Sequence, residues 1–153
     1  SVVDLIPNSP RLYPVGRLDY ATTGLLLFTN DGQMALRLTH PRYHLSKTYH
    51  LVTASPPNNS QLRRLRAGVV LSDGPTHPAA TKLLNPVSGG FLWQLSITEG
   101  RNRQVRRMCD MLGLKVKSLS RVSLGPLRLG NLNFGHYRYL SPSEIISLKK
   151  VVQ

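Results

Sequence analysis

The chain has 153 residues, 41% of them apolar, and its 20 Lys and Arg against 7 Asp and Glu give a formal net charge of +13. This length suits one domain with a real core, and no apolar run approaches the roughly 20 residues that a membrane-spanning helix needs. The charge indicates a polyanionic partner but identifies neither a nucleotide sequence nor a reaction. The single cysteine, Cys109, excludes an internal disulfide and suits a reducing compartment, so we expect a cytoplasmic protein.

The first third of the chain alternates short apolar segments with turn signals. An amphipathic piece over 1–6 ends at Pro7, and 8–10 form a turn. Aliphatic and aromatic residues predict strands over 12–15 and 24–29, followed by the turn Asn30-Asp31-Gly32. A helix over 33–39 and a strand over 47–53 are predicted next.

The middle third contains one predicted helix and several predicted strands. Ser60 is the expected N-cap of a helix over 61–67, and Gly68 suits the position after its end. Three strands are expected next, over 69–71, 80–85 and 91–98, with turns at 72–75 and 86–90. The last of these strands alternates apolar and polar side chains, which predicts a half-buried strand.

The last third opens with a helix that Asn102 is expected to cap and that runs to Leu112. Its apolar residues recur at i, i+3, i+4 and i+7, so Cys109 is interpreted as a core residue rather than a nucleophile. A strand over 115–122, a loop over 125–135, a strand over 136–140 and a terminal helix opened by the capping box 141–144 complete the chain. Short strands with few helices favour an α+β fold with a mainly antiparallel sheet.

Asp19 is notable because acidic residues are scarce in this chain. It follows Gly16-Arg17-Leu18, between two predicted strands, and lies close to a base in an apolar region. Acids in loops are usually turn formers, so the residues alone leave two interpretations open. Asp19 is either a turn aspartate paired locally with Arg17 or a functional carboxylate.

The segment from Gly16 to Asp19, with Thr22 to Gly32 after it, resembles the active-site segment of the pseudouridine synthases. The resemblance is strongest to the RsuA-like group, which acts on ribosomal RNA. It continues in the same order through five further motifs: Leu38-Thr39-His40-Pro41, Lys47-Thr48-Tyr49, Gly68-Val69, Asp73-Gly74-Pro75 and 99–108. Several motifs in one order across nearly the whole chain are far more specific than any single tetrapeptide.

The resemblance implies a bent mixed sheet with helices on its flanks and a cleft across it. It also implies an enzyme that isomerises a specific uridine of ribosomal RNA to pseudouridine, without a metal or another cofactor. Family members usually begin this domain with a strand carrying an Asn-Lys-Pro motif, often after a small RNA-binding module. Neither precedes Ser1, so we expect 1–153 to be the catalytic domain, truncated at its N-terminus, without an S4-like module and monomeric.

Three catalytic residues are implied by the resemblance. Asp19 is expected to be the catalytic aspartate, and Arg106 the cation that keeps it charged, with Arg101 as the fallback. Tyr49 is expected to stack on the flipped uracil and to remove the proton at C5. The alternatives are that Arg106 contacts a phosphate and that Tyr49 is an ordinary strand aromatic.

Basic side chains are expected to secure the RNA, because extracting the target uracil from its stack costs a few kcal/mol. The candidates for this role are Arg17, Lys47, Arg101, Arg103, Arg107 and Arg121. A solvated surface charge is the alternative for each. The five histidines lack metal-ligand spacing with cysteine or paired carboxylates, and there is no phosphate-binding glycine-rich loop.

Two functions therefore remain in view. One is a ribosomal RNA pseudouridine synthase, and the other is a non-catalytic basic RNA-binding protein or an inactive fragment of such an enzyme. The set formed by Asp19, Tyr49 and Arg106 favours the enzyme, because binding to phosphates gains nothing from a buried carboxylate. Ribosomal RNA is the expected partner in the first case, with no membrane and no small-molecule cofactor.

Overall fold

The computed structural model describes residues 5–6 and 11–153. The strands are β1 (Tyr13–Val15), β2 (Thr23–Gly24), β3 (Leu27–Thr29), β4 (Lys47–Thr53), β5 (Val70–Leu71), β6 (Gly74–Pro75), β7 (Ala80–Val87), β8 (Gly90–Ile97), β9 (Val116–Leu124) and β10 (Leu127–Arg128). The helices are α1 (Gly32–Thr39), α2 (Asn59–Ala67), α3 (Gln104–Met111) and α4 (Pro142–Val151), and a 3₁₀ helix covers Pro41–Tyr43. Within the described residues, no helix is both long and apolar enough to cross a membrane.

The main sheet has the strand order β10-β9-β4-β8-β7, with all neighbours antiparallel. β2 adds a short parallel pairing to β9. Two small antiparallel pairs, β1 with β3 and β5 with β6, stand beside this sheet. The prediction of an α+β fold with a mainly antiparallel sheet and flanking helices is confirmed.

One core packs the main sheet against α2 and α3. The apolar stripe predicted for α3 enters it, and Trp93, Leu95, Met108 and Cys109 are completely buried there. The indole N–H of Trp93 donates to the hydroxyl of Thr53 at 3.0 Å, so the largest buried ring leaves no polar atom unpaired. Burial raises the pKa of Cys109 to about 12, which keeps the thiol protonated and agrees with its interpretation as a core residue.

A second core joins β1, β3, α1 and α4 to the ends of β9 and β10. Val15, Leu38, Leu124 and Leu148 are among its buried residues. Val15 is the last residue of β1, directly before the segment that carries Asp19. The Asp19 segment therefore leaves one core at Val15 and returns to the main sheet at β2.

The strand predicted over 24–29 is wrong as a single element, because the chain changes partners within it. Gly24 pairs with β9, whereas Leu27–Thr29 pair with β1. At Gly24 the backbone has φ +109°, and a Cβ there would lie 2.2 Å from the carbonyl oxygen of Arg121. Only glycine allows so close an approach of β2 to β9.

Two predicted helix caps are wrong. Asn58, not Ser60, caps α2, since its side chain accepts from the Gln61 amide at 2.8 Å and the Gln61 side chain accepts from the Asn58 amide. For α3 the N-cap is Arg103, with φ +49° and no side-chain capping bond, rather than Asn102. Neighbouring residues suit the apolar pattern of each helix equally well, so the three-dimensional contacts decide which residue caps it.

The segment over 136–140 forms no strand, contrary to the prediction. Arg138 instead donates two hydrogen bonds to Glu144 at 2.7 and 2.8 Å, and Tyr137 packs edge-to-face on Tyr139. The predicted capping box of α4 is confirmed between Ser141 and Glu144. Apart from residues 5 and 6, the predicted N-terminal piece and turn over 1–10 lie outside the described residues.

Candidate active site

An open cleft of about 1060 Å³ lies where the two cores meet. Of the nine predicted site residues, all except Arg107 line it. The basic residues on its wall are Arg17, Arg42, Lys47, Arg101, Arg103, Arg106 and Arg121, and the acidic ones are Asp19 and Glu99. A cleft with this excess of cations attracts a polyanion, and its lining offers two carboxylates, Asp19 and Glu99.

Asp19 opens a tight turn whose geometry its own side chain stabilises. The amide of Thr22 bonds to the Asp19 carbonyl at 3.1 Å. The Oδ1 atom of Asp19 accepts from the Ala21 amide at 3.0 Å and from the Thr22 hydroxyl at 2.7 Å. Oδ1 therefore serves the turn while Oδ2 is directed elsewhere, and among the described residues the ion pair of Asp19 is with Arg106 rather than with the neighbouring Arg17.

Arg106 reaches this turn from α3. Its Nε lies 3.6 Å from Oδ2 of Asp19, and the two side chains are 15% and 22% exposed. Its Nη2 donates to the carbonyl oxygen of Ala21 at 2.8 Å. The predicted pairing of Arg106 with Asp19 is therefore present, and Arg101 does not take its place.

The Nε atom of Arg106 is buried without a hydrogen-bond partner in the described part of the chain. At 3.6 Å from Oδ2, it is close enough for a strong electrostatic attraction but too far for a good hydrogen bond. Buried donors without partners are rare and tend to lie at functional sites.

A β-bulge brings Tyr49 to the cleft floor beside Arg121. Thr48 pairs with Ser123 and Tyr49 with Arg121, so Val122 of β9 has no counterpart on β4. Residues directly opposite each other in an antiparallel pair point to the same face, and bulges often re-aim side chains next to active sites. Burial raises the pKa of Tyr49, and the Arg121 charge opposes that rise.

Arg121 is only 2% exposed. Its Nε donates to the Leu25 carbonyl at 2.9 Å, and the Leu25 amide donates back to the Arg121 carbonyl at 2.8 Å. This exchange fastens the end of the Asp19 segment to β9. Among the described residues, Nη2 of Arg121 is buried without a well-formed hydrogen bond, on a guanidinium that lies beside Tyr49.

Lys47 begins β4 at the wall of the same cleft. Burial lowers its pKa, the charge of Arg121 lowers it further, and Glu99 opposes both effects. Its Nζ donates to the carbonyl of Leu45 at 3.3 Å. An anion near Lys47 would stabilise the charged form of its ammonium group.

Arg101 and Arg107 are engaged with carboxylates. Arg101 donates to Glu99 at 2.9 Å through Nη2 and to the Gly74 carbonyl at 2.9 Å through Nη1. Arg107 makes a bidentate pair with Asp73 at 2.9 and 3.2 Å. These bonds tie the start of α3 to the β5–β6 turn, and α3 carries Arg106.

Glu99 and Asp73 lie in motifs that carry the resemblance, but the sequence did not predict them as site residues. Desolvation disfavours the charge on Glu99, but bonds from the His77 amide, Gln104 and Arg101 outweigh it and lower its pKa. The hydrogen bond from Arg107 lowers the pKa of Asp73. The scarcity of acidic residues, which singled out Asp19 as a candidate site residue, is a signal that applies equally to Glu99 and Asp73.

The chain matches the RNA pseudouridylate synthase family over residues 2–111. It belongs to that family.

The relatives and a solved structure of this family extend the match toward the C-terminus. Ribosomal large subunit pseudouridine synthase B of Bacillus subtilis is 45% identical over 151 residues, which cover 97% of this chain and 62% of that protein. Ribosomal large subunit pseudouridine synthase E of Xanthomonas campestris is 42% identical over 146 residues, which cover 84% and 77%. A crystal structure of a pseudouridylate synthase matches with a TM-score of 0.88 at 37% identity, over 97% of this chain and 65% of that one. The chain thus spans less than two thirds of the B. subtilis protein and of the crystallised synthase.

In this member of the pseudouridylate synthase family, two of the arginines predicted to bind RNA, Arg17 and Arg103, are exposed on the cleft wall. Arg103 adopts φ +49°, a left-handed conformation that a side chain disfavours. Backbone strain of this kind costs about 1–3 kcal/mol and is often found where a side chain must point toward a ligand. Both guanidiniums are exposed at the cleft, where they can meet phosphates.

Proposed function

We propose that this chain isomerises a uridine of ribosomal RNA to pseudouridine, with Asp19 as the catalytic carboxylate. The observation that carries the proposal is the ion pair between Asp19 and Arg106 in a cation-lined cleft that also holds Tyr49. The names of the B. subtilis and X. campestris relatives support ribosomal RNA as the substrate. We place the reaction in the cytoplasm and assign it to a monomer.

The isomerisation breaks the bond between N1 and the ribose C1′, and forms a bond between C5 and the same C1′. N1 gains a proton and C5 loses one, so the composition of the RNA is unchanged. Asp19 either attacks the ribose or the base, or removes the 2′ proton. Every route needs an ionised carboxylate, and the Arg106 guanidinium lies 3.6 Å from Oδ2 of Asp19 as its counter-charge.

Tyr49 is proposed to hold the detached uracil and to take the proton from C5. Its position on the cleft floor suits stacking against a base. A phenolate is the form that accepts a proton, and the burial of Tyr49 disfavours that form. The adjacent Arg121 guanidinium stabilises the phenolate and offsets part of the effect of burial, while the pKa of Tyr49 stays above its ordinary value.

Backbone phosphates are proposed to meet Arg17, Arg103 and Lys47 at the cleft wall. Arg121, at the cleft floor, would meet the target nucleotide itself, whereas Arg101 and Arg107 would contact RNA only beyond their carboxylate partners. Removal of one phosphate contact should reduce the slope of log affinity against log salt by roughly 0.7–0.9. Arg17→Gln and Arg103→Gln should each show this reduction, and Arg107→Gln should not.

The test of the function is tritium release from ribosomal RNA labelled at C5 of uridine. Three proteins are compared: this chain, its Asp19→Asn variant and a chimera in which this chain carries the flanking segments of the B. subtilis synthase. Release that depends on Asp19 in this chain or in the chimera supports the proposal. Release by the Asp19→Asn variant at the rate of the unsubstituted protein would contradict it. RNA binding without release by both unsubstituted proteins would instead identify a non-catalytic RNA-binding protein.

A further inference from the structure

Tyr20, the residue directly after Asp19, carries an unusual side chain for its position. Its exposure is 107% of the reference value, the highest among the exposed large hydrophobic residues in the described chain. Tyrosine is an aromatic that normally buries most of its ring, because the ring gains free energy on leaving water. Here both faces of the ring are open to solvent at the tip of the Asp19 turn.

The backbone that carries Tyr20 is held on both sides. Oδ1 of Asp19 bonds to the Ala21 amide and the Thr22 hydroxyl, and Arg106 donates to the Ala21 carbonyl at 2.8 Å. The exposed ring therefore stands on an ordered turn rather than on a mobile tip. A tyrosine has few rotatable bonds, so a ring mounted in this way loses little entropy when it meets a flat partner.

The surroundings indicate what that partner is. Leu18, Asp19 and Thr22 line the cleft on either side of Tyr20, and Arg17 is an exposed cation three residues before it. An anionic strand drawn to this cleft must pass the Asp19 turn when its target nucleotide reaches Asp19. The bases next to the target are then the flat groups nearest to the Tyr20 ring.

We propose that Tyr20 stacks on an unpaired nucleobase adjacent to the target uridine in the RNA strand. The proposal rests on the proposed function for the position of the target at Asp19. Stacking is tolerant of sequence because every base has a π face. Tyr20 would therefore hold the strand in register beside Asp19 without reading which base is present.

Loss of one base–aromatic stack should weaken RNA binding by roughly 5- to 150-fold. The probe is a single-stranded oligoribonucleotide with one uridine flanked on both sides by 2-aminopurine, whose fluorescence falls on stacking. Tyr20→Ala should bind it more weakly by that factor and quench it less. Tyr20→Phe and Tyr20→Trp should bind and quench as the unsubstituted chain does, because they keep an aromatic face.

Tyr139→Ala is the matched control, since Tyr139 is 78% exposed but has no cleft-lining residue near it in sequence, whereas Tyr20 lies between the cleft-lining Asp19 and Thr22. It should leave affinity and quenching unchanged, and the melting temperatures of all variants should agree. Unchanged affinity and quenching in Tyr20→Ala would overturn the proposal, as would full recovery by Tyr20→Leu, which is apolar but not aromatic. These readouts are independent of turnover, so absence of tritium release from the unsubstituted chain would count against the proposed function alone.

Discussion

Replacement of Arg106 should separate catalysis from RNA binding. Nε of Arg106 and Oδ2 of Asp19 are 3.6 Å apart, with side chains that are 15% and 22% exposed. At an effective dielectric constant of about 20, two unit charges at this distance attract by about 4–5 kcal/mol. Desolvation and the remaining contact with water offset part of this attraction, which leaves about 2–3 kcal/mol.

Arg106→Gln should therefore lower the rate of the chemical step by roughly 30- to 150-fold, because the carboxylate loses its counter-charge. Affinity for RNA should change little, since Arg106 is bound to Asp19 and to the Ala21 carbonyl rather than free for phosphates. Arg106→Lys should retain part of the rate, because it keeps the charge but not the planar group that bonds to Ala21.

The assay is single-turnover tritium release with protein in excess, beside equilibrium binding of the same ribosomal RNA. Arg103→Gln is the matched control, since Arg103 is exposed on the cleft wall and is not paired with Asp19. It should weaken RNA binding and leave the single-turnover rate at saturation unchanged. Equal losses of rate and affinity in Arg106→Gln would refute the pairing as the basis of catalysis.

Three further predictions concern Tyr49, the close approach of β2 to β9 at Gly24, and Glu99, which accepts hydrogen bonds from Arg101 and Gln104 at the start of α3. Tyr49→Phe should bind RNA normally but fail to release tritium, and full release would exclude Tyr49 as the base at C5. Gly24→Ala should lose more free energy of unfolding, measured in urea, than the control Gly89→Ala. Gly89 also has a positive φ, but the space around its Cβ position is open. Equal losses would mean that backbone strain of about 1–3 kcal/mol explains the destabilisation without a clash against β9. The lowered pKa of Glu99 means that its contribution to stability is present above the ordinary value of 4.5 and is lost as the pH falls through the folded value. Glu99→Gln should therefore be less stable than the unsubstituted chain at pH 7, with a gap that narrows below about pH 4; a constant gap would contradict the ionic role.

Elements with a sustained apolar period were predicted well. β4 has the predicted bounds, and the stripe of α3 packs into the first core as expected. The period of side chains along a strand or helix depends only on local geometry, so it is written in consecutive residues. The segment over 136–140 lacks such support, and its Arg138 is held by Glu144 instead of entering a sheet.

The candidate site was predicted in part for the same reason. Asp19, Tyr49 and Arg106 could be named because they lie in local motifs that resemble a family. The engagement of Arg101 with Glu99, and of Arg107 with Asp73, could not be read from those motifs. An arginine in or beside the helix that carries Arg106 looks the same in sequence whether its guanidinium faces a phosphate or an acid of another turn.

The sequence by itself determined the family, the scarcity of carboxylates and the candidate for the reactive one. Only the tertiary structure decided the partners of the two oxygens of that carboxylate: Oδ1 is bonded within its own turn, and Oδ2 faces Arg106. It also decided that a bulge sets Tyr49 beside Arg121 and that Tyr20 stands in solvent on an ordered turn. Local preferences follow from neighbouring residues, whereas charge pairing depends on which distant segments the packing of the two cores brings together.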